Sequence, residues 1–188
     1  QESYLPREFP DVPGYQFAGK LNPARQVSGD FYDAFTIPDG RVAVLIGDVS
    51  GKGLPSALYM CRLLTEIRVG LKHGQTTAGV LGSVNRNLCE QATRGMFVTM
   101  ILFLLDPARD KLVVANAGHL PFLMQQGGEW REIMLDKNPP LGILRDRRFT
   151  THMIDLTQGT TFFAYTDGVT EARHPGGRRS RRAPGPAQ

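Results

Sequence analysis

A predicted β-hairpin with one aspartate on each strand at its open end constrains the fold of this chain more than any other feature. Two apolar runs, residues 31–37 and 41–47, flank the turn Pro38-Asp39-Gly40, an order typical of strand, tight turn and strand. If the hairpin is centred near its Asp, the numbers of paired residues sum to about 78 or 79, depending on the turn length. Asp30 and Asp48 sum to 78. The register therefore predicts that both carboxylates lie at the open end of one ladder, close together.

Two ionised carboxylates that close repel, and each raises the pKa of the other unless a cation lies between them. A third aspartate, Asp167, follows another apolar run, residues 161–166, at a glycine-bearing turn. Each aspartate alone could cap a strand end through an Asx-turn, but their joint occurrence favours a metal site. Oxygen ligands without Cys or His at comparable positions indicate Mg²⁺ or Mn²⁺ rather than Zn²⁺.

The middle of the chain predicts a pair of helices, and strands follow. Pro55 suits the first turn of a helix. Apolar residues at three- and four-residue spacing, Leu58 among them, predict one helix over 54–72 and a second over about 77–93. Strands with a helical pair inserted after the second strand predict an α+β fold, in which helices cover antiparallel sheets.

Four short motifs resemble the successive motifs of a known family. They are Ser28-Gly29-Asp30-Phe31-Tyr32-Asp33, Gly47-Asp48-Val49-Ser50-Gly51-Lys52-Gly53, Asn116-Ala117-Gly118-His119-Leu120-Pro121 and Thr166-Asp167-Gly168-Val169-Thr170-Glu171. In this order and spacing they are similar to motifs of the bacterial phosphatases of the RsbU and sporulation stage II E type, a branch of the metal-dependent PPM serine/threonine protein phosphatases. The similarity covers about residues 1–174, which we interpret as one phosphatase domain. It implies an α-β-β-α sandwich with a metal site at one end of the paired sheets.

The resemblance also implies roles for individual residues. Asp30 and Asp48 would bind or bridge the metals, and the backbone carbonyl of Val49 would add a ligand. Asp167 would complete the shell of one ion. Two Mn²⁺ or Mg²⁺ ions about 3.5 to 4 Å apart can activate a bridging water for in-line attack on a phosphoryl group. The catalytic candidates are therefore the three aspartates, and no side-chain nucleophile is required.

Other polar residues near these motifs have two interpretations each. Arg25 lies five residues before Asp30, where some PPM members carry a phosphate-binding arginine, and the alternative is a surface arginine. His119 could protonate a leaving alkoxide, but we favour a turn-stabilising role. Asp33 should face away from Asp30 across the strand, which favours a structural or supporting role. Lys52 lies in a glycine-rich loop, but the loop lacks the spacing of a nucleotide-binding P-loop.

The C-terminal end departs from the family pattern. Related domains continue after the Thr-Asp-Gly motif to a strand-end Asp-Asp motif that supplies a metal ligand, whereas here the sequence turns into the Arg-, Gly- and Pro-rich residues 175–188. The resemblance therefore implies that this ligand and the last helix or strand are missing, through a shortened chain or a changed reading frame. The exposed sheet edge would then favour a homodimer. Residues 175–188 contain no large apolar side chain and are predicted to be a disordered tail.

The basic charge of the chain belongs to its last residues. The formal net charge is +4, but five arginines lie in residues 173–188, so residues 1–172 carry −1. An arginine-rich tail could contact nucleic acid or anionic lipid, yet without aromatic residues it predicts neither nucleic-acid binding nor membrane insertion. No apolar stretch approaches the roughly 20 residues that span a bilayer, and no basic-then-apolar signal segment is visible, so a cytoplasmic location is expected.

The expected activity is hydrolysis of phosphoserine or phosphothreonine in a protein. The resemblance implies a phosphorylated STAS-type anti-anti-sigma factor as the substrate, in a bacterial partner-switching pathway that controls a sigma factor. The alternative is a phosphatase-like module that binds proteins but is catalytically impaired because the terminal ligand is missing.

Overall fold

The computed structural model describes residue 6 and residues 8–22, 29–51, 54–91, 95–136 and 138–171. Four predictions fall wholly or partly outside these residues. They are the phosphate-binding role of Arg25, the interpretation of the loop at Lys52, the end of the second helix at about residue 93, and the disordered tail over 175–188.

The described residues form eight strands and three helices. In chain order they are β1 (Asp30–Thr36), β2 (Val42–Val49), α1 (Leu54–Lys72), α2 (Thr77–Gln91), β3 (Val98–Asp106), β4 (Lys111–Ala117), β5 (Phe122–Gln126), β6 (Glu129–Ile133), β7 (His152–Asp155), β8 (Thr161–Phe163) and α3 (Asp167–Thr170). Both longer helices begin at the predicted residues, and α1 also ends at the predicted one.

The strands make two antiparallel sheets. The larger has the order β1-β2-β3-β4-β7 and the smaller has the order β6-β5-β8. The predicted hairpin forms the first edge of the large sheet, and its register is the expected one, with Asp30 paired to Asp48. Asp39 stabilises the turn by accepting hydrogen bonds from the Arg41 main chain and guanidinium, at 3.1 and 2.6 Å.

The helical pair covers one face of the large sheet. Residues of α1 and α2 at helical spacing pack into a core with the strand residues that point the same way, including Phe31, Leu45 and Leu102. The buried helix residues are Met60, Leu63, Leu64, Ile67, Leu71, Val80, Leu81, Val84 and Leu88. Leu58 was expected on this apolar face, but its side chain is 63% exposed. It lies two positions before Met60, which places it on the opposite side of the helix.

The small sheet covers the other face of the large one. Between the two sheets lies a second core that contains Ile101, Val114 and Phe122, and Phe103 meets Phe122 edge to face with their ring centroids 5.2 Å apart. The layers are therefore helices, large sheet and small sheet, and the predicted α+β architecture of antiparallel sheets flanked by helices is confirmed. Within the described residues, α3 has four residues and none of them is buried, so it does not form a second helical layer.

A buried ion pair joins α1 to β1. The Asp33 side chain is fully buried and accepts two hydrogen bonds of 2.6 Å from the Arg68 guanidinium. Arg68 also lies over the ring of Phe35, 5.0 Å from its centroid. Asp33 faces the helices, away from Asp30, in agreement with the structural role predicted for it.

Candidate metal centre

The hairpin places two carboxylates side by side at one end of the large sheet. β1 begins at Asp30 and β2 ends near Asp48, so the pair occupies the open end of the ladder. Their strand neighbours Phe31 and Val49 are buried against the helices. Because side chains alternate along a strand, Asp30 and Asp48 lie on the opposite face, which the small sheet covers.

Two glycines shape the space around this pair. A Cβ on Gly29 would overlap the Val49 carbonyl oxygen and lie 2.5 Å from Asp48 Oδ1. The Val49 amide in turn donates to the Gly29 carbonyl at 3.1 Å. A Cβ on Gly47 would meet the Thr99 carbonyl oxygen at 2.5 Å. The Val49 carbonyl and the Asp48 carboxylate therefore converge on the space that Gly29 leaves open.

The electrostatics of Asp48 reflect its crowding. Burial, followed by the negative charges of Asp30 and Asp167, raises the pKa of Asp48 to about 6. All three predicted aspartates thus lie near enough to interact, as the sequence suggested. Burial and nearby like charges both raise the pKa of a carboxylate, and a bound cation would counteract both effects.

Asp167 reaches this neighbourhood differently from the prediction. The strand expected over 161–166 ends at Phe163, and Asp167 begins the short helix α3. β8 pairs with β5 only as far as Phe163 opposite Leu123, so residues 164–166 lie beyond the ladder. Asp167 itself is exposed. Its carbonyl accepts hydrogen bonds from the Glu171 amide at 2.7 Å and the Thr170 hydroxyl at 3.0 Å.

The donor set fits a hard divalent cation in part. Two adjacent carboxylates and the Val49 carbonyl offer the oxygen ligands that Mg²⁺ and Mn²⁺ prefer. Within the described ranges, however, no three His, Cys, Asp or Glu side chains are gathered closely enough to hold an ion. Within the same ranges, the direct pairing of Asp30 with Asp48 is the closest approach that the strand register gives among the three predicted aspartates.

His119 is held by a polar network beside the carboxylates. Its amide donates to Asn116 Oδ1 at 2.8 Å, and its carbonyl accepts from Asn116 Nδ2 at 3.2 Å. Asn116 thus closes the turn, while the His119 ring places Nδ1 3.2 Å from Thr99 Oγ1. Burial lowers the pKa of His119 to about 4, although the Tyr165 main chain and the charges of Asp30 and Asp167 oppose this shift.

Thr99 is the site residue that sequence reasoning missed. It pairs directly with Asp48 in the β2–β3 ladder, so Asp30, Asp48 and Thr99 form one row across three strands. The signal that could have found it is the register between β2 and β3. That register depends on a pairing across the intervening helical pair, which no short motif encodes.

Comparison with known proteins shows which family the chain resembles. The family model for stage II sporulation protein E matches residues 38–184. Protein IcfG of Synechocystis is 29% identical over 204 residues, which cover 93% of this chain and 32% of that protein. Phosphoserine phosphatase RsbP of Bacillus subtilis is 29% identical over 83% of this chain and 40% of its own length. Phosphoserine phosphatase RsbU of the same species is 29% identical over 94% of this chain and 53% of its own length. The chain thus spans about a third to a half of these curated relatives.

Solved structures share the fold. The RsbU and RsbW domains of Rv1364c from Mycobacterium tuberculosis align with a TM-score of 0.71 at 28% identity, over 81% of this chain and 42% of that one. The PP2C phosphatase domain of SpoIIE from Bacillus subtilis aligns with a TM-score of 0.69 at 20% identity, over 78% of this chain and 43% of that chain. At this identity the alignment shows a shared fold alone. With the family match over most of its length, the chain belongs to the stage II sporulation protein E family.

Proposed function

We propose that residues 1–174 form a metal-dependent protein phosphatase domain that hydrolyses phosphoserine or phosphothreonine, with residues 175–188 as a tail outside it. The observation that carries the proposal is the direct pairing of Asp30 with Asp48 at the end of the ladder. The relatives RsbP and RsbU are named phosphoserine phosphatases, which supports phosphoserine hydrolysis as the reaction.

Asp30, Asp48 and the Val49 carbonyl would hold the first Mn²⁺ or Mg²⁺ ion, and Asp167 would contribute to a second. Bound metal would supply a water of lowered pKa and positive charge beside the phosphoryl oxygens. In this proposal Arg25 binds the phosphoryl group.

The protein's own contribution is to hold negative charge in place before any cation arrives. Asp48 has a pKa of about 6 and is therefore mostly ionised at pH 7, next to a second carboxylate. Binding of a cation relieves this repulsion, so the strain in the metal-free site favours occupancy. Burial lowers the pKa of His119 to about 4, so at pH 7 the ring is neutral and is not the imidazolium that would act as a general acid toward a leaving alkoxide. This favours a structural role for His119 over an acid role.

The proposed substrate is a phosphorylated STAS-type anti-anti-sigma factor in a partner-switching pathway. Similarity to RsbU and RsbP supports this choice. The proposal includes a cytoplasmic location, a homodimer through an exposed sheet edge, and no nucleic-acid or membrane partner. No helix in the described part of the chain is long and apolar enough to cross a membrane.

A second candidate is a phosphatase-like module that binds a phosphoprotein without efficient turnover. It is favoured by one observation, that no three ligand side chains are gathered around one point within the described residues. The two candidates differ in turnover and agree in binding.

The test is dephosphorylation of a phosphorylated STAS protein by residues 1–188 with Mn²⁺ and with EDTA. We expect turnover only with Mn²⁺, and loss of that turnover in Asp48→Asn. Asp39→Asn is the matched control, because Asp39 is exposed in the turn of the same hairpin. Binding of the phosphoprotein without Mn²⁺-dependent turnover would establish the binding module instead.

A further inference from the structure

The segment that carries Asp167 is weakly tied to the rest of the protein. β8 pairs with β5 over three residues, and α3 has no buried residue and no side-chain cap at Thr166. Within the described residues, the hydrogen bonds of 166–171 run inside the segment itself. Ala164 still packs against the core between the sheets. Something beyond this ladder must therefore fix Asp167 if it is to work with Asp30 and Asp48.

The His119 side chain lies between the large sheet and this segment. Its Nδ1 contacts the hydroxyl of Thr99, the residue that pairs with Asp48. The Tyr165 main chain, two residues before Asp167, is near enough to the ring to raise the pKa of His119 against the effect of burial. Nε2 is buried and makes no hydrogen bond of standard geometry to the described residues.

The hydrogen-bond roles of the ring follow from these contacts. The Thr99 hydroxyl can donate to Nδ1, which leaves the ring proton on Nε2. A buried N–H without an acceptor is costly, and the nearby Tyr165 carbonyl can accept it after a small shift of the segment. The ring can thus join the two sides, while Asn116 fixes its main chain.

We propose that His119 is a positioning residue that links the Thr99 hydroxyl to the Tyr165 main chain and so holds Asp167 beside the Asp30 and Asp48 pair. The link itself is independent of the proposed phosphatase activity. Its consequence for metal binding rests on that proposed function.

Two conservative variants separate the contact of residue 119 with Thr99, here called the arm to Thr99, from its contact with Tyr165, the arm to Tyr165. In His119→Gln the side-chain amide can reach the position of Nε2, which preserves the arm to Tyr165. In His119→Asn the shorter amide reaches only the position of Nδ1, which preserves the arm to Thr99. The Asn116 hydrogen bonds involve the main chain of residue 119 and remain in both variants, so a role limited to the turn predicts no difference between them.

Amide hydrogen exchange in EDTA reads out the link without metal. The amides of Val169 and Glu171 are hydrogen-bonded inside the segment and report its opening. We expect exchange of both to be about three- to tenfold faster in His119→Asn, the range that loss of one hydrogen bond allows. In His119→Gln it should be at most about twofold faster, because this variant loses the Thr99 contact but keeps the contact with Tyr165, and Asn116 still holds the main chain of residue 119. Equal exchange in all three proteins would overturn the proposal. So would faster exchange spread equally over β3 and β4, because His119 would then support only general stability.

Mn²⁺ titration by calorimetry gives a second readout. His119→Asn should weaken Mn²⁺ binding in the original protein but not in an Asp167→Asn background, because the two residues act on one step. Equal weakening in both backgrounds would contradict action through Asp167. If the original protein binds no Mn²⁺, the proposed function fails, while the exchange experiment still decides the role of His119.

Discussion

The two regions that supply carboxylates to the candidate site are built in opposite ways. Asp30 and Asp48 lie in a ladder of seven paired positions, backed by the helix-covered core and by the ion pair between Asp33 and Arg68. Asp167 follows a three-residue strand and begins a four-residue helix without buried side chains. One carboxylate pair is fixed by main-chain pairing and core packing, whereas the third depends on local hydrogen bonds and on its neighbours.

This difference separates two tasks within one site. A ladder backed by a packed core holds like charges together against their repulsion, because it resists displacement. A short, exposed segment opens at lower cost than a core strand and can adjust to what binds. We therefore expect Asp30 and Asp48 to determine whether a cation binds, and Asp167 to tune how tightly.

The largest expected effect tests this division directly. Asp48→Asn should weaken Mn²⁺ binding by more than about 100-fold, because it removes a ligand charge from the paired nucleus, whereas Asp167→Asn should cost about tenfold. Isothermal titration calorimetry measures both, with Asp39→Asn as the control. If Asp167→Asn costs as much as Asp48→Asn, the two regions do not differ in the way described.

The second prediction concerns the support of the hairpin. Arg68→Met leaves the fully buried Asp33 carboxylate without its cation, which should destabilise the protein by about 2 to 3 kcal/mol after allowance for the partial exposure of the arginine. For a chain of this size the thermal midpoint should fall by roughly 4 to 12 °C.

The matched change in the other region is Thr170→Val, which removes one exposed hydrogen bond to the Asp167 carbonyl. It should change stability by less than about 0.5 kcal/mol. Differential scanning calorimetry of both variants in EDTA makes the comparison. Equal losses would mean that α3 contributes to global stability as much as the hairpin does.

A third prediction uses pH to test whether the ionised Asp48 side chain destabilises the metal-free protein. The pKa of Asp48 is raised to about 6 in the folded protein, so its contribution to stability is greatest below about pH 4 and is lost as the pH rises through 6. The pKa of His119 is lowered to about 4, so its contribution is present above its ordinary pKa and is lost as the pH falls toward 4.

In the metal-free protein these two effects oppose each other between about pH 4 and 6.5. Asp48→Asn should therefore gain stability relative to the original protein as the pH rises through this window, by about 1 to 2 kcal/mol. His119→Gln should gain relative stability as the pH falls. Urea denaturation in EDTA measures both differences, and a difference for Asp48→Asn that does not change with pH would locate the strain elsewhere.

The smallest expected effect lies beyond both regions. Deletion of residues 176–188 should leave the thermal midpoint unchanged within about 1 °C, because the segment contains no large apolar side chain with which to join a core. A drop of several degrees would show that these residues pack against the domain.

The hairpin could be predicted from sequence because its information is local. A short turn and the two-residue alternation of side chains fix the register, so the pairing of Asp30 with Asp48 followed from counting and is confirmed. Helix α1 was predictable for a similar reason, from the spacing of its apolar residues, although the apolar Leu58 lies on its exposed side.

The second region could not be predicted in the same way because its structure depends on distant partners. Residues 161–166 have strand-like composition, yet β8 ends at Phe163, opposite Leu123 of β5. The contact of Thr99 with His119 likewise depends on how β3 pairs with β2. Such pairings are set by packing across the chain, which a single sequence does not display.

The position of glycine relative to aspartate distinguishes the open end of the hairpin from its turn. In Gly29-Asp30 and Gly47-Asp48 the glycine comes first and faces crowded main-chain oxygens, whereas in Asp39-Gly40 it comes second, with a φ of +85° and open space around its Cα. A site rebuilt in another protein would therefore need each aspartate together with the glycine that precedes it. Three aspartates grafted onto another hairpin without those glycines would reproduce the charge of the site but not its shape.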